Sequence, residues 1–270
     1  MNPFNISGKV IVITGGTGVL GSAVADSLSQ AGAKIVILGR NQALIDEKVA
    51  ELIKNGGEAI GVAANVLDKE SIEKAKDFIL QHYSRIDVLL NAAGGNQPGA
   101  TIGVDQTIFD LSMTDFQKVN ELNLNGTVIP SIVFGEVMAK QKEGIIINFS
   151  SMTVDRAVTR VVGYSASKAA MENFTRWMAV EMATKFGDKI RVNAIAPGFF
   201  ISNQNRQLLT NADGTYTQRG ETIINNTPMK RFGEADELNG AIHFLCSDAA
   251  KFITGIVLPI DGGFSSFSGV

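Results

Sequence analysis

The sequence is poor in the residues that bind metals or form disulfides. Its 270 residues include one cysteine, Cys246, and two histidines, His82 and His243, which lie far apart in the chain. A single cysteine cannot form an internal disulfide, and these three residues lack the spacing of a zinc site. We therefore expect each to be a helix residue without chemical function, and we expect no bound metal.

The chain also lacks an excess of positive charge and a long apolar segment. Its 24 Lys and Arg residues against 27 Asp and Glu residues give a net charge of −3, whereas a nucleic-acid-binding protein needs a basic face. No apolar run approaches the ~18 residues that cross a bilayer. Residues 1–7 lack the basic start and apolar stretch of a secretory signal. We expect a cytoplasmic protein that binds neither nucleic acid nor membrane.

Short β-branched runs alternate with helical patterns along the chain. The run Val10–Ile13 is apolar throughout, as a strand buried on both faces requires, and a helical pattern follows from Val19 to Ala31. Further strands are predicted at 35–38, 59–63, 88–90, 145–147, 190–195 and 256–258, and further helices at 43–53, 69–80, 113–124, 132–140, 166–185 and 235–246. This alternation requires parallel strands with right-handed crossovers. The sequence thus predicts an α/β fold, a doubly wound parallel sheet (Rossmann fold) of about seven strands with helices on both faces.

The organisation of the chain indicates a single domain over residues 1–270. No Pro-rich or Ser-rich linker interrupts it, and there is no break in composition. The least regular stretch, residues 202–230, is polar and rich in Asn, Gln and Thr. It is interpreted either as a disordered insertion or as a lid that orders over a ligand. In a sheet of this kind, ligands bind at the carboxyl ends of the strands near the topological switch point.

A glycine-rich segment, Thr14–Gly21, connects the first strand to the first helix. Glycines there let the backbone approach a pyrophosphate, whose charge is met by free N–H groups at the helix start. Residues 16–21 match Gly-x-Gly-x-x-Gly, a motif that also fits a tight turn but is more specific between a buried strand and an amphipathic helix. The residues predicted to bind a dinucleotide here are Gly15, Thr17, Gly18, Val19, Leu20 and Gly21.

Residues after the next strands bear on the identity of the dinucleotide. At the end of the second strand, where an acid would bind the ribose 2′-hydroxyl of NAD, the chain has Arg40. Arginine can pair with a 2′-phosphate, which favours NADP(H). It can also stack on adenine without distinguishing the two dinucleotides, which leaves NAD(H) possible. Asn65 follows the third strand and is positioned to hydrogen-bond the adenine edge. The small residues of Asn91-Ala92-Ala93-Gly94 are predicted to pack beside the cofactor.

Tyr164 and Lys168 form the candidate proton-transfer pair. They lie four residues apart at the start of a helical pattern, so they share one face of the helix. Free tyrosine has a pKa near 10, and proton exchange near neutral pH requires a decrease of about three units. A nearby ammonium, together with a positively charged nicotinamide, favours the phenolate. Ser151, thirteen residues before Tyr164 and just past a buried strand, makes the pattern more specific.

Together these segments resemble the short-chain dehydrogenase/reductase family over nearly the whole chain. The matching segments are Thr14–Gly21, Asn91–Gly94, Asn123–Gly126, Ser150–Ser151, Tyr164–Lys168, Pro197–Gly198 and Asp261–Gly263. The resemblance implies that Tyr164 exchanges the proton, Lys168 binds the nicotinamide ribose and Ser151 polarises the substrate carbonyl. It also implies that Asn123 holds a proton-relay water.

Further roles follow from the same resemblance. Pro197 and Gly198 would pass behind the nicotinamide, so that hydride moves to or from one face only. Ser202 stands where a Thr often meets the carboxamide, and Asn65 stands where the family usually has Asp. The remaining cofactor contacts implied are Val66 and Phe200.

One departure from the family pattern lies in the phosphate loop. Short enzymes of the family have their second glycine at the place of Val19 and Ser at the place of Gly18. The spacing found here resembles the longer, epimerase-type branch. The chain is short for that branch's substrate domain and keeps Asn123 and Asp261–Gly263, so it is interpreted as a member of the short branch.

The loops resemble the sugar-acid enzymes of the family. Segments 91–97, 197–206 and 255–270 are similar to those of its D-mannonate oxidoreductases (fructuronate reductases), which implies interconversion of D-fructuronate and D-mannonate with NAD(P)(H). A polyhydroxy acid needs hydrogen-bond partners and a cation. The candidates are Asn96, Gln97, Arg156, Arg160, Gln204, Asn205 and Arg206. Of these, Arg156 and Arg160 lie between Ser151 and Tyr164, close enough to meet a carboxylate bidentately.

Other functions remain open from the sequence. A gluconate 5-dehydrogenase or a 3-oxoacyl reductase of the same family would share every catalytic residue. A dinucleotide-binding regulator without turnover is the alternative from a different class. The family resemblance also implies a homotetramer that acts on a small molecule.

Overall fold

Seven parallel strands form the centre of the molecule in the computed structural model, which describes residues 2–201 and 206–269. The strands are β1 (Val10–Thr14), β2 (Lys34–Gly39), β3 (Glu58–Ala63), β4 (Val88–Asn91), β5 (Gly144–Phe149), β6 (Ile190–Pro197) and β7 (Val257–Ile260). Their spatial order is β3-β2-β1-β4-β5-β6-β7, and every neighbouring pair is parallel. The order reverses between β1 and β4, which creates a crevice at their carboxyl ends.

Helices cover both faces of this sheet. They are α1 (Val19–Gln30), α2 (Gln42–Lys54), α3 (Lys69–Tyr83), α4 (Met113–Asn120), α5 (Gly126–Gln141), α6 (Val162–Phe186), α7 (Arg206–Leu209), α8 (Gln218–Asn225) and α9 (Asn239–Cys246). Successive side chains of a strand point to opposite faces. Ile11 and Ile13 therefore pack in the core under α1, α2 and α9, whereas Val10 and Val12 pack in the core under α3, α5 and α6. The predicted doubly wound α/β fold is confirmed.

The predicted helix over 113–124 is too long. Helix α4 ends at Asn120, and a wider π-type turn over Glu121–Asn125 leads directly into α5. Helix α5 begins at Gly126 rather than at 132, although it contains Pro130. The missing N–H of Pro130 would have bonded the carbonyl of Gly126 at the first position of the helix, so only one bond at the helix start is lost.

The irregular stretch predicted over 202–230 contains local structure. It includes α7 and α8, and a side-chain cap from Thr217 to the N–H of Gly220 starts α8. Ser202, Gln204 and Asn205 lie outside the described residues. A lid function for the stretch stays a prediction. Within the described ranges, no helix combines the length and the apolar character needed to span a membrane.

The cysteine and the two histidines all lie in helices, as predicted. Cys246 ends α9 and is fully buried, and this burial raises the pKa of its thiol to about 12. His243, also in α9, is 3.2 Å from the hydroxyl of Ser27, and His82 packs edge-on against Tyr83 in α3. Among the residues that the structure describes, no three His, Cys, Asp or Glu side chains are grouped as metal ligands.

Candidate active site

A cavity of about 680 Å³ opens at the carboxyl ends of the central strands. The loops that follow β1, β4, β5 and β6 form its walls together with the first turns of α1 and α6. Its lining residues are Gly15, Thr17, Gly18, Val19, Leu20, Gly21, Ser22, Ala92, Gly94, Gly95, Phe149, Ser150, Ser151, Tyr164, Lys168, Pro197, Gly198 and Phe200. The structure thus brings the glycine-rich loop and the Ser151, Tyr164 and Lys168 side chains to one cavity.

Two glycines allow close backbone contacts where the loop Thr14–Gly21 lines the cavity. Gly15 has a φ of +67°, and a Cβ there would lie 2.9 Å from the Cα of Ala93. A Cβ on Gly21 would lie 2.5 Å from the carbonyl oxygen of Gly15, so only glycine lets α1 start this close to the loop. Among the described residues, no side chain caps α1 at Gly18. The N–H groups of its first turn are therefore open to an anion.

The unusual Gly18-Val19 spacing does not disturb this loop. Gly18 has an ordinary φ of −78° and serves as the N-cap, and α1 begins at Val19. A Cβ on Gly18 would approach the carbonyl oxygen of Gly15 to 3.3 Å. The glycine at this position therefore relieves a tight contact rather than supplying a left-handed conformation.

Tyr164, Lys168 and Ser151 form the opposite end of the cavity. Tyr164 and Lys168 lie one turn apart near the start of α6, and the Lys168 Nζ is 5.5 Å from the centroid of the Tyr164 ring. The buried ammonium donates a hydrogen bond of 2.6 Å to the carbonyl of Phe149, the last residue of β5. Ser151 lies just past that strand and hydrogen-bonds the phenol. The strand end and the helix start therefore fix all three groups.

Burial dominates the electrostatics of this end. It raises the pKa of Tyr164, against a smaller lowering by the hydrogen bond from Ser151. Burial also lowers the pKa of Lys168 to about 8. Desolvation disfavours the charged form of both groups. The expectation that the ammonium and a positively charged nicotinamide together favour the phenolate stays a prediction.

Burial of the Lys168 ammonium should lower the free energy of unfolding by a measurable amount. The folded pKa of Lys168, about 8, lies below the ordinary value of 10.5. The buried ammonium therefore destabilises the folded state fully below pH 8, and this destabilisation disappears as the pH rises to 10.5. We expect Lys168→Met to raise the free energy of unfolding at pH 7 by about 1–3 kcal/mol, after allowing about 1 kcal/mol for the lost hydrogen bond. Urea denaturation at pH 7 and pH 10 measures this difference. A variant that is less stable at pH 7, or a gain that grows with pH, would contradict the interpretation.

Asn123 does not line the cavity but holds the loop that does. It lies fully buried in the π-type turn before α5. Its amide group donates to the carbonyls of Gly95 and Val119, both at 2.8 Å, and its Oδ1 accepts from the N–H of Gly95 at 3.0 Å. A Cβ on Gly94 would lie 2.8 Å from this Oδ1 and 3.3 Å from the Nζ of Lys168. Asn123 thus anchors the loop next to the lysine, and a water-binding role stays a prediction.

A second buried network holds the end of β5. The Ser150 hydroxyl donates a 2.6 Å hydrogen bond to Glu172 of α6, whose other carboxylate oxygen is 3.1 Å from Arg176. One strand further on, Asn91 donates to Ser131 and to Asn148. Asn91 therefore supports the sheet beneath the cavity rather than lining it.

Several predicted cofactor residues follow neighbouring strands but do not line the cavity. Arg40 follows β2 and is exposed, and its guanidinium has no hydrogen bond or ion pair among the described residues. The preceding residue, Gly39, lies against Thr17 of the glycine-rich loop. Asn65, after β3, is exposed, and its side chain accepts from the N–H of Leu67. Val66 is buried, and Ala93 donates its N–H to Thr14 beneath the loop.

Among the described residues, the candidates predicted to bind the polar groups of a sugar acid lie outside this cavity, whereas Ser151 and Tyr164 line it. Asn96 donates to Thr101 at 2.8 Å. Arg156 is exposed and donates to the carbonyls of Ser265 and Phe267 in the C-terminal tail. Arg160 lines a neighbouring cavity, and Arg206 is an exposed residue of α7.

Four lining residues were not predicted as site residues. Ser22 belongs to the first turn of α1, Gly95 follows the small-residue segment after β4, Phe149 ends β5 and Ser150 follows it. Their positions next to predicted residues are the signal that identifies them, because the carboxyl ends of neighbouring parallel strands share one edge.

Comparison with known proteins agrees with this geometry. Residues 17–265 match the family model described as enoyl-(acyl carrier protein) reductase, a model of short-chain dehydrogenases/reductases. The chain is 45% identical to an uncharacterized oxidoreductase, UxuB, of Bacillus subtilis (strain 168), over 98% of both chains.

Two solved structures are also similar. The crystal structure of a provisionally assigned D-mannonate oxidoreductase from Haemophilus influenza, with bound NAD, has a TM-score of 0.92 and 41% identity over 98% of both chains. A provisionally assigned NAD(P)-dependent gluconate 5-dehydrogenase from Beutenbergia cavernae, with NADP bound at low occupancy, has a TM-score of 0.85 and 30% identity, covering 98% of this chain and 100% of that one. The chain belongs to the short-chain dehydrogenase/reductase family of NAD(P)-dependent oxidoreductases.

Proposed function

We propose that this protein reduces the ketone of a sugar acid, and oxidises the corresponding alcohol, with a nicotinamide dinucleotide. The observation that carries the proposal is the single cavity with an uncapped helix start at one end and Tyr164, Lys168 and Ser151 at the other. At Gly15 and Gly21 the backbone packs too closely for a side chain, as in loops that bind a pyrophosphate. These features suit a dinucleotide along the cavity.

Each polar residue at the reactive end has a distinct task. The bound dinucleotide supplies the hydride in reduction and accepts it in oxidation. In reduction, Ser151 donates a hydrogen bond to the carbonyl oxygen, and the Tyr164 hydroxyl delivers a proton to that oxygen as the carbon gains hydride. The ketone thus becomes an alcohol, and Tyr164 is left as phenolate. In oxidation the phenolate takes the proton back.

Lys168 serves this proton transfer electrostatically. Its ammonium lies near the Tyr164 ring and stabilises the phenolate that forms after the proton has left. Its hydrogen bond to the carbonyl of Phe149 keeps the charge at the strand end, and we propose that it also binds the nicotinamide ribose. Asn123 keeps the loop of Gly94 and Gly95 beside it and remains the candidate for holding a relay water.

We further propose NADP(H) as the preferred cofactor because of Arg40. Its guanidinium is exposed at the end of β2, beside the loop that contains Thr17, and is unpaired among the described residues. We expect Arg40→Asp to raise the KM for NADPH by about tenfold or more, since a charge-assisted pair is replaced by repulsion, and to change the KM for NADH much less. Steady-state kinetics with both cofactors measure the effect.

Lys54 supplies the control for this charge reversal. It is an exposed cation at the opposite end of α2, away from the carboxyl ends of the strands. Lys54→Asp changes the net charge equally and should leave both KM values unchanged. Equal losses for NADPH and NADH in Arg40→Asp would reject the 2′-phosphate role of Arg40.

Among sugar acids, we propose the pair D-fructuronate and D-mannonate. Support comes from the similarity of the loops and of the whole chain to the Haemophilus protein named above. The test is an absorbance assay of purified protein with NADPH and NADH against D-fructuronate, 5-keto-D-gluconate and a 3-oxoacyl thioester. Fastest turnover of D-fructuronate supports the proposal, and fastest turnover of another compound would assign the function to that class instead. The family resemblance further predicts a cytoplasmic homotetramer.

A further inference from the structure

A second cavity, of about 730 Å³, lies beside the proposed active site. Three of its walls are formed by later residues of the same loops that line the first cavity. Residues 102–108 follow Gly94 and Gly95, residues 157–160 follow Ser151, and Phe199 follows Gly198. Helix α8 and Phe264, which follows β7, provide the remaining walls. The two cavities are therefore lined by neighbouring parts of the same loops at the carboxyl edge of the sheet.

Arg160 lines this cavity in a constrained conformation. Its φ is +78°, in the left-handed region that residues with a side chain rarely adopt. Two hydrogen bonds with Ile102 hold it: the Ile102 N–H donates to the Arg160 carbonyl at 3.0 Å, and the Arg160 Nε donates to the Ile102 carbonyl at 2.7 Å. The two terminal nitrogens of its guanidinium have no partner among the described residues. Such strain persists where surrounding contacts enforce it, often at functional sites.

Arg219, from the first turn of α8, lines the same cavity. Its side chain is half-buried, and its terminal nitrogens contact Thr159 at 3.3 and 3.5 Å. Burial, and then the charge of Arg160, lower the pKa of Arg219, so the two guanidinium groups lie close enough to repel. The start of a helix is also an unfavourable place for a cation.

No carboxylate in the described ranges 2–201 and 206–269 forms an ion pair with Arg160 or Arg219. The arginine ion pairs found there are those of Arg85, Arg176 and Arg231. Glu221 lies in the first turn of α8 but forms no ion pair with Arg219. Arg160 and Arg219 line one cavity that no described acidic residue lines, and Arg219 lies at the start of α8, so the site favours an anion.

We propose that Arg160 and Arg219 together bind the carboxylate of the substrate. This assignment rests on the proposed sugar-acid function and adds Arg219 to its substrate site. In D-fructuronate the ketone and the carboxylate lie near opposite ends of the carbon chain, so one active site needs two separated polar regions. Tyr164 lies four positions after Arg160, so their Cα atoms are at most ~14 Å apart. An extended keto acid and a long arginine side chain can span this distance.

The same geometry favours Arg219 over Arg156 for this role. Both of its contacts are to carbonyls of the C-terminal tail, Ser265 at 2.8 Å and Phe267 at 3.1 Å, and it does not line either cavity. We therefore propose Arg219, which is far from Arg160 in sequence, rather than Arg156 as the partner of Arg160.

Substrate charge provides the test. Purified wild type, Arg160→Gln, Arg219→Gln and Arg219→Lys are assayed with D-fructuronate, 5-keto-D-gluconate and the neutral ketose D-fructose. We expect each Gln variant to raise the KM for the keto acids by about tenfold or more, with little change in kcat, because a charge-assisted contact is lost. Turnover of D-fructose and the dinucleotide dissociation constant should not change, and Arg219→Lys should retain part of the affinity.

Arg156→Gln is the matched control and should leave the KM for the keto acids within about twofold. Thermal unfolding of each variant verifies its folding. Equal losses for charged and neutral substrates, or no loss in Arg219→Gln, would overturn the carboxylate site and leave the proposed reduction intact. A wild type that reduces D-fructose but neither keto acid would overturn both the carboxylate site and the proposed sugar-acid function. A wild type that reduces none of the three would overturn the proposed function and this site together.

Discussion

Tyr164→Phe is expected to lower turnover by about a hundred- to ten-thousand-fold, the range that general acid catalysis contributes. The variant removes a single oxygen atom from the end of the cavity where Ser151 and Lys168 converge. Phenylalanine retains the ring that packs there, so the glycine-rich loop and its dinucleotide site should be unaffected. Steady-state kinetics and dinucleotide titration on the same preparation separate the two effects.

Tyr83 offers a control with the same substitution. Its hydroxyl, in α3, is buried without a hydrogen-bond partner in the described part of the protein, and burial raises its pKa to about 12. Tyr83→Phe should leave turnover unchanged and should not decrease stability, since it removes an unsatisfied polar group. Near-normal turnover in Tyr164→Phe would mean that another group supplies the proton.

Gly21→Ala is expected to weaken dinucleotide binding by about tenfold or more. The added Cβ would lie 2.5 Å from the carbonyl oxygen of Gly15, so the loop and the start of α1 must move apart. Such overpacking also costs about 1–3 kcal/mol of folding free energy. Dinucleotide titration by fluorescence or calorimetry measures the affinity, and urea denaturation measures the stability.

Gly240→Ala is the matched control for this substitution. Gly240 is an exposed residue of α9, and a Cβ there would have no neighbour within 4 Å among the residues described. Because alanine is the better helix former by about 1 kcal/mol, this variant should be as stable as wild type or more so, with unchanged dinucleotide affinity. Unchanged affinity in Gly21→Ala would show that the loop does not form the dinucleotide site.

The parts of the fold that depend on local patterns were predictable from the sequence. Apolar runs such as Val10–Ile13 form strands buried on both faces, and their alternation with helical patterns specifies a parallel sheet. The glycine-rich loop and the Tyr164–Lys168 spacing were equally visible, because each needs particular residues at short fixed distances. The π-type turn over Glu121–Asn125 was not visible, since the side-chain hydrogen bonds of Asn123 to Gly95 cross from another loop.

The remaining features of the site depend on tertiary packing. Desolvation of Tyr164 and Lys168 follows from how β5 and α6 pack, and it raises the pKa of the tyrosine and lowers that of the lysine. Arg160 and Arg219 approach one another because α8 packs against the loop after β5. No spacing in the sequence distinguishes Arg219 from Arg156, whose contacts with the C-terminal tail are also long-range.

The most direct test of the account is a single turnover of D-fructuronate with reduced dinucleotide deuterated at the transferring position of the nicotinamide, followed by mass spectrometry. We expect deuterium on the new carbinol carbon of D-mannonate, in an amount equal to the oxidised dinucleotide formed, and almost no product in the same time with Tyr164→Phe. Product without deuterium, or equally fast product formation by Tyr164→Phe, would contradict hydride transfer coupled to a proton from Tyr164.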